Sequence, residues 1–514
     1  MIEIRLSDDA FSHDIAPLTR AFFPHEEVKC VTVPYAEPTA VPDSIKEREN
    51  LPRFIVLTAD TGDKLIKIWL SDERGRVVRG ERVPTVTRPE TDNDRDEAFL
   101  AWKRQYKNEL KQVLYGILCD YTGRELPWGS LTGIRPVKLA LDEIEAGASE
   151  ESVRAFYKEE YLCSDEKTDL TLRIAKKEAD LLSRIDYKNG YSIYIGIPFC
   201  PSTCLYCSFT SYPIGTYRKH VDEYLAALFK EIDFIAAALA GKRLSTVYIG
   251  GGTPTALDED HLLRLLDYIN NTLPMDEAFE FTVESGRPDS ITPGKLSVMK
   301  KMGVTRMSIN PQTMSDKTLR FIGRLHTAEQ TVKAFHEARE AGMDDINMDL
   351  IIGLPGESAD DTRHTLSEIE KLNPDDLTVH SLAIKRAARL KLHLDEIEDV
   401  MPTDTMEMQR LTYEYAISHG YEPYYLYRQK NITENLENTG YARPGKEGIY
   451  NILMMEEKHT VVGLGAGSSC KFVFKDGKRI ERTENVKFVM DYIGRIDEMI
   501  DRKKQFLDEF GEEL

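Results

Sequence analysis

The stretch YIGIPFCPSTCLYCSF, residues 194–209, decides how the rest of the chain is read. Its first half is an apolar β-run. Its second half holds Cys200, Cys204 and Cys207, three of the seven cysteines of the chain, inside eight positions. Thiols spaced by three residues and then two wrap one corner of a metal centre. A closed zinc site asks for a fourth Cys or His, for which His220 is the nearest candidate. Iron–sulfur clusters are held by thiolates in short spacings of this kind, and three ligands to four irons leave one iron open.

Working outward, residues 191–382 alternate short β-runs with amphipathic helices. YSIYIGI, STVYIGG, AFEFTVES, VTRMSIN, DINMDLIIG and DLTVHSL read as strands, and a helix-length segment follows each of the first five. In the first helix Val221, Tyr224, Leu225, Leu228, Ile232 and Ile235 form one stripe. Six such units give parallel strands with right-handed crossovers. Polar residues occupy one strand face throughout: Glu280, Thr282 and Glu284; Arg306, Ser308 and Asn310; Asp345, Asn347 and Asp349. A closed eight-stranded barrel fills its interior with branched apolar side chains. This pattern predicts instead a wider, incomplete (β/α)6 barrel lined for ligands, an α/β fold spanning 186–400. An α+β domain (1–185) is expected before it, with antiparallel strands in RFIVLTADTGDKLIKIWLSDERGRVVRGERV and a helix over 96–121, and no chemistry is assigned there. A mixed, helix-rich domain (401–514) is expected after it, as a cover over the substrate.

Composition narrows the function. At 514 residues and 41% hydrophobic content the chain is globular and multidomain. No stretch of eighteen apolar residues and no leader-like start is present, so a cytoplasmic protein without a membrane span is expected. A net charge of −20 argues against a nucleic-acid partner. The other four cysteines, Cys30, Cys119, Cys163 and Cys470, are scattered singly and read as buried thiols.

CPSTCLYC resembles the CxxxCxxC signature of the radical S-adenosylmethionine (SAM) superfamily, and the flanking YIGIPFC narrows the resemblance to the oxygen-independent coproporphyrinogen III oxidase branch. LPWGSLTGIRP and the chain length are similar to the long coproporphyrinogen dehydrogenase variant of Gram-positive bacteria. The resemblance implies a 4Fe-4S cluster on Cys200, Cys204 and Cys207, with SAM on the open iron. It implies a SAM pocket formed by Tyr194, by Gly251, Gly252 and Thr253 of GGGTPT, by Glu284, Gln312, Arg324, Asp349 and Ala383, and by Ser469 after GLGAGS. GGGTPT is not a Walker loop, since no GK[ST] follows, and GLGAGS lacks the βαβ setting of a dinucleotide site.

In the family, one electron cleaves SAM, and a 5′-deoxyadenosyl radical takes hydrogen from a propionate, which leaves as carbon dioxide to give a vinyl group. Two rounds convert coproporphyrinogen III into protoporphyrinogen IX, with an electron donor such as flavodoxin or ferredoxin. A tetra-carboxylate tetrapyrrole calls for arginines, and Arg386, Arg389 and Arg428 are the candidates. Two departures open alternatives. The bacterial oxidases have a further cysteine two positions after the trio, where this chain has Phe209, as in the haem-chaperone branch. That branch carries an HNxxYW motif, whereas the matching stretch here has Tyr450, Asn451, Met454 and Met455. A haem chaperone and a radical SAM methyltransferase acting on haem stand beside the decarboxylase.

Overall fold

In the computed structural model the run around Tyr194 is strand β6, Gly190–Ile197, nearly all of it buried, as befits a strand covered on both faces. The structure describes the chain except residues 8, 25, 34–54, 62–64, 73, 75, 92, 94–95, 384–387, 391–400, 403, 430–434, 475–476, 478 and 512–514. It divides into two compact units, one of Met1–Arg173 with Arg428–Glu437, the other of Ile174–Tyr427 with Asn438–Leu514.

The larger unit is built on β6, β9 (Arg243–Gly251), β10 (Glu280–Val283), β11 (Arg306–Ser308), β12 (Ile346–Ile352) and β13 (Asp376–Ser381). All five pairings along this series are parallel. Helices Val221–Ala238, Glu259–Thr272, Pro293–Lys301, Ala328–Glu340 and Ala359–Leu372 form the crossovers. The sheet order leaves β6 and β13 unpaired with each other, so the six strands form an open barrel. The region after Met401, set apart in the sequence, extends this same sheet: β15 (Asn438–Ala442) and β14 (Glu422–Tyr427) beyond β13, and β16 (Thr460–Leu464), β17 (Ser469–Val473) and β18 (Ile480–Glu484) beyond β6.

Strand parity sorts the two faces as the polar pattern requires. Val247, Ile249, Phe281, Val283, Met307 and Met348 join the helices in one apolar core, and the six-residue stripe on the first crossover helix is fully buried in it. Phe279 departs from that pattern: it precedes β10 and is 43% exposed, with the Arg243 guanidinium over its ring. The polar face is largely buried too, and most of its groups are partnered within the barrel. Arg306 pairs with Asp376 at 2.6 Å and Asp345 at 3.3 Å. Glu280 accepts from the backbone N–H of Ile449 at 2.6 Å and of Tyr450 at 3.3 Å, which fixes the helix Ile449–Glu456 against the barrel. Such a polar interior costs desolvation unless every group finds a partner, and here most do.

The smaller unit carries a five-stranded sheet ordered β2-β1-β3-β4-β5, with β1 Ile2–Leu6, β2 Val28–Thr32, β3 Ile55–Thr61, β4 Ile66–Asp72 and β5 Val77–Arg82. β3 to β5 are the antiparallel strands expected from the alternation; the parallel pair β1 and β2 was not legible. Helix Glu97–Thr122 is capped by Asp96, whose carboxylate accepts from the N–H groups of Ala98 and Phe99, and it stops at Gly123. Among the described residues no helix is long and apolar enough to cross a membrane.

Candidate active site

The cysteine loop leaves β6 and is closed by a short pairing of β7 (Phe199–Cys200) with β8 (Tyr212–Pro213). The GGGTPT turn after β9 lies directly behind it: Gly252 N–H donates to Ile197 O at 2.8 Å and Thr253 N–H to Phe199 O at 2.7 Å. A Cβ on Gly252 would sit 2.6 Å from Phe199 O and 3.0 Å from Cys200 Sγ, so only glycine lets the turn approach the thiol. The Thr253 hydroxyl donates to Cys200 Sγ at 3.5 Å. Arg287, clamped by Asp289 through two hydrogen bonds of 2.9 and 2.8 Å, points Nη1 at Cys204 Sγ from 3.7 Å and at Ser202 Oγ from 3.1 Å. Burial raises the Cys200 thiol and pushes Cys207 up to about 11. His220, the candidate fourth zinc ligand, is taken by Glu223 at 2.9 Å, and among the described residues no three His, Cys, Asp or Glu close on a single-ion position.

Beside the trio, the strand ends build a pocket. Glu284, just after β10, is half-buried; desolvation and the Asp349 charge push its carboxyl up to about 8, while hydrogen bonds from the Tyr248 hydroxyl and Gly251 N–H oppose them. Gln312 is held at φ +68, a left-handed conformation rare for a non-glycine residue. Its N–H donates to Asp349 O and its carbonyl accepts from Ile351 N–H, both at 2.9 Å. Its buried Oε1 has no hydrogen-bond partner among the described residues. Arg324 ties pocket to cysteine loop, donating to the Tyr206 hydroxyl at 3.1 Å and to Asn310 O at 2.5 Å. Burial raises Asp349, but His380, Asn347 and Arg324 outweigh it and hold the carboxyl below its ordinary range. Tyr194 stacks with Tyr248 at 6.2 Å, and Tyr248 with Tyr450 at 4.5 Å.

The structure thus brings together Cys200, Cys204, Cys207, Tyr194, Gly251, Gly252, Thr253, Glu284, Gln312, Arg324 and Asp349. Ala383 lies half-buried just past β13, and Ser469 opens β17 with its hydroxyl turned to Cys470 O at 3.4 Å. Arg389 is exposed, next to Leu390, whose N–H reaches Leu205 O in the cysteine loop at 2.8 Å. Arg386 falls outside the described residues. Arg428, offered for a propionate in the sequence, belongs to the smaller unit. There its Nη groups are spent on Leu131 O at 2.6 Å and Asn435 O at 3.0 Å, and its guanidinium lies 5.2 Å from the Trp128 ring centre. Four neighbours were missed in the sequence: Arg287, Tyr206, Tyr248 and His380. Tyr248 and His380 lie on the polar parity of their strands, which was the available signal; Arg287 and Tyr206 sit in loops and had none.

A model of the Radical SAM superfamily matches residues 194–369. The chain is 41% identical over 420 residues to the "oxygen-independent coproporphyrinogen-III oxidase-like protein HemZ" of Bacillus subtilis (strain 168), covering 81% of this chain and 83% of that protein. The chain belongs to the radical SAM superfamily, among its oxygen-independent coproporphyrinogen-III oxidase-like proteins. The heme chaperone HemW of the same organism is 33% identical over 310 residues, 59% of this chain and 76% of its own. The solved Escherichia coli coproporphyrinogen III oxidase HemN aligns with a TM-score of 0.49 at 24% identity, over 63% of this chain and 73% of that one.

A radical SAM protein works with a 4Fe-4S cluster and SAM, and the donor set here fits both. Three thiols share one loop, with Thr253 and Arg287 supplying hydrogen bonds to sulfur. The pocket beside them offers an orphaned Gln312 acceptor and two carboxyl groups, Glu284 and Asp349, suited to the ammonium and hydroxyl donors of SAM.

Proposed function

We propose that this protein decarboxylates two propionates of coproporphyrinogen III to vinyl groups, giving protoporphyrinogen IX without oxygen, in haem biosynthesis. The cluster and SAM, when bound, supply the one-electron cleavage that makes a hydrogen-abstracting radical; an external carrier such as flavodoxin or ferredoxin supplies the electron. The chain's own task is to aim and to shield. Cys200, Cys204 and Cys207 hold the cluster, Gly251, Gly252 and Thr253 line its SAM side, and Glu284, Gln312, Arg324 and Asp349 orient the cofactor. Ala383 and Ser469 are assigned to the pocket's edge, and residues 401–514 to covering the substrate. Arg389 is the remaining described candidate for a propionate.

The observation that favours turnover over haem storage is Tyr450. It stands where the chaperone motif has histidine, and it is buried against Tyr248 inside the barrel. His459, a residue of the type that ligates haem iron, is buried with Nδ1 2.7 Å from Tyr187 O. The 33% identity to a heme chaperone keeps haem binding as the second reading. Anaerobic incubation with SAM, a reductant and coproporphyrinogen III, followed by product mass spectrometry, separates the two. Loss of two carboxyl groups per substrate is expected. An unchanged porphyrinogen together with tight stoichiometric haem binding would make the chaperone reading correct.

A further inference from the structure

His380 belongs to β13 and stands on the polar face of the barrel between side chains from two other strands. Its Nε2 lies 3.6 Å from Asp349 Oδ2 on β12. Its Nδ1 lies 3.3 Å from the Tyr427 hydroxyl on β14, with the two rings 6.4 Å apart at 66°. Asn347 already holds the other oxygen of Asp349 at 2.7 Å. With the phenol as donor to Nδ1, a ring N–H stands on Nε2, facing the carboxylate. At 3.6 Å this is longer than a hydrogen bond, so the ring acts on Asp349 through its dipole.

We propose that His380 is a positioning residue: held by the Tyr427 hydroxyl on one side, it orients Asp349 toward the bound cofactor on the other. The proposal rests on the reading of Asp349 as part of the SAM pocket. SAM carries a sulfonium and an ammonium, so a carboxylate held in place at the pocket wall favours binding, as opposite charges do. Among the described residues the groups facing His380 are few. β12 brings Asp349 and Asn347; β14 brings Tyr427 and, stacked on it at 6.3 Å, Tyr425; β15, NTGYA, brings no charged group. Arg324 and Glu284 act on Asp349 from across the pocket.

The test is equilibrium binding of SAM to anaerobically reconstituted protein with matched cluster content. His380→Gln keeps a side-chain N–H donor and is expected to bind within about twofold of the wild type. His380→Ala is expected to bind about fivefold or more weakly, a loss of roughly 1 kcal/mol. Wild-type affinity in His380→Ala, or a His380→Gln that binds as weakly as His380→Ala, overturns the proposal. So does loss of the cluster in both variants, since the ring would then serve the fold. Asp349→Ala is the control for the pocket itself: if it binds SAM normally, the pocket assignment fails, whereas a weakened Asp349→Ala beside unaffected His380 variants sinks only the role of His380.

Discussion

Glu284 shows how much a single half-buried carboxyl is asked to do. Its ordinary value of 4.5 is raised to about 8, so the folded protein keeps a proton that the unfolded chain gives up across that window. Protons bound in the native state and not in the unfolded state make stability fall as pH rises. The loss from this group therefore accumulates from about pH 4.5 to 8 and then stops, with a slope of at most about 1.4 kcal/mol per pH unit. Glu284→Gln should remove that slope, so the stability of cofactor-free variant relative to wild type should climb between acid and neutral pH in urea unfolding. A constant difference would show that Glu284 ionises normally. The same substitution should weaken SAM binding and leave iron content unchanged. At Arg287 the expectation is complementary. Hydrogen bonds and charge near the sulfurs set a cluster's potential, so Arg287→Leu should keep the cluster and lower its midpoint potential, read by redox titration. An unmoved potential would mean the 3.7 Å contact to Cys204 is only structural. The trio was legible because thiol spacing is local. Arg287 was not, because what makes it matter is a sulfur 83 residues away in sequence.

At the scale of elements, the order of strands and helices followed from local pattern. All six barrel strands and the crossover stripe were readable, since period and parity are properties of short segments. The parallel pairing of β1 with β2 and the joining of β16 to β6 were hidden, because both depend on partners far apart in the chain. Two elements carry predictions. The GGGTPT turn must pass the cysteine loop without a side chain, so Gly252→Ala should lower iron and sulfide content on reconstitution while the fold, read by circular dichroism, persists. Full cluster content would show that the turn can yield. Glu231 on the first crossover helix is the second case. Its buried carboxylate accepts from Gly465 N–H at 2.8 Å, the Tyr492 hydroxyl at 2.6 Å and Asn485 Nδ2 at 2.8 Å, and pairs with Lys503 of the last helix at 2.7 Å. Removing one partner of a buried pair strands the other charge, at a cost of about 3–5 kcal/mol. Lys503→Met should therefore cost that much in unfolding free energy; an effect below about 1 kcal/mol would be that of an exposed pair.

For the molecule as a whole, the WGSLTGIRP stretch has a structural explanation within the smaller unit. Trp128 is fully buried, donates from Nε1 to Glu437 at 2.7 Å, and shares that carboxylate with Lys167 at 2.8 Å, while Arg428 holds the backbone at Leu131 and Ile134. That accounts for its Trp by packing and hydrogen bonding, while the cysteine loop and the strand-end pocket lie in the larger unit. The central claim is that this barrel aims a radical at a propionate side chain. It is tested most directly by coproporphyrinogen III deuterated at the propionate β-carbon, incubated anaerobically with SAM, a reductant and the intact protein. The account predicts deuterium in the recovered 5′-deoxyadenosine, with carbon dioxide released from the same substrate. Unlabelled 5′-deoxyadenosine beside an intact porphyrinogen would contradict it.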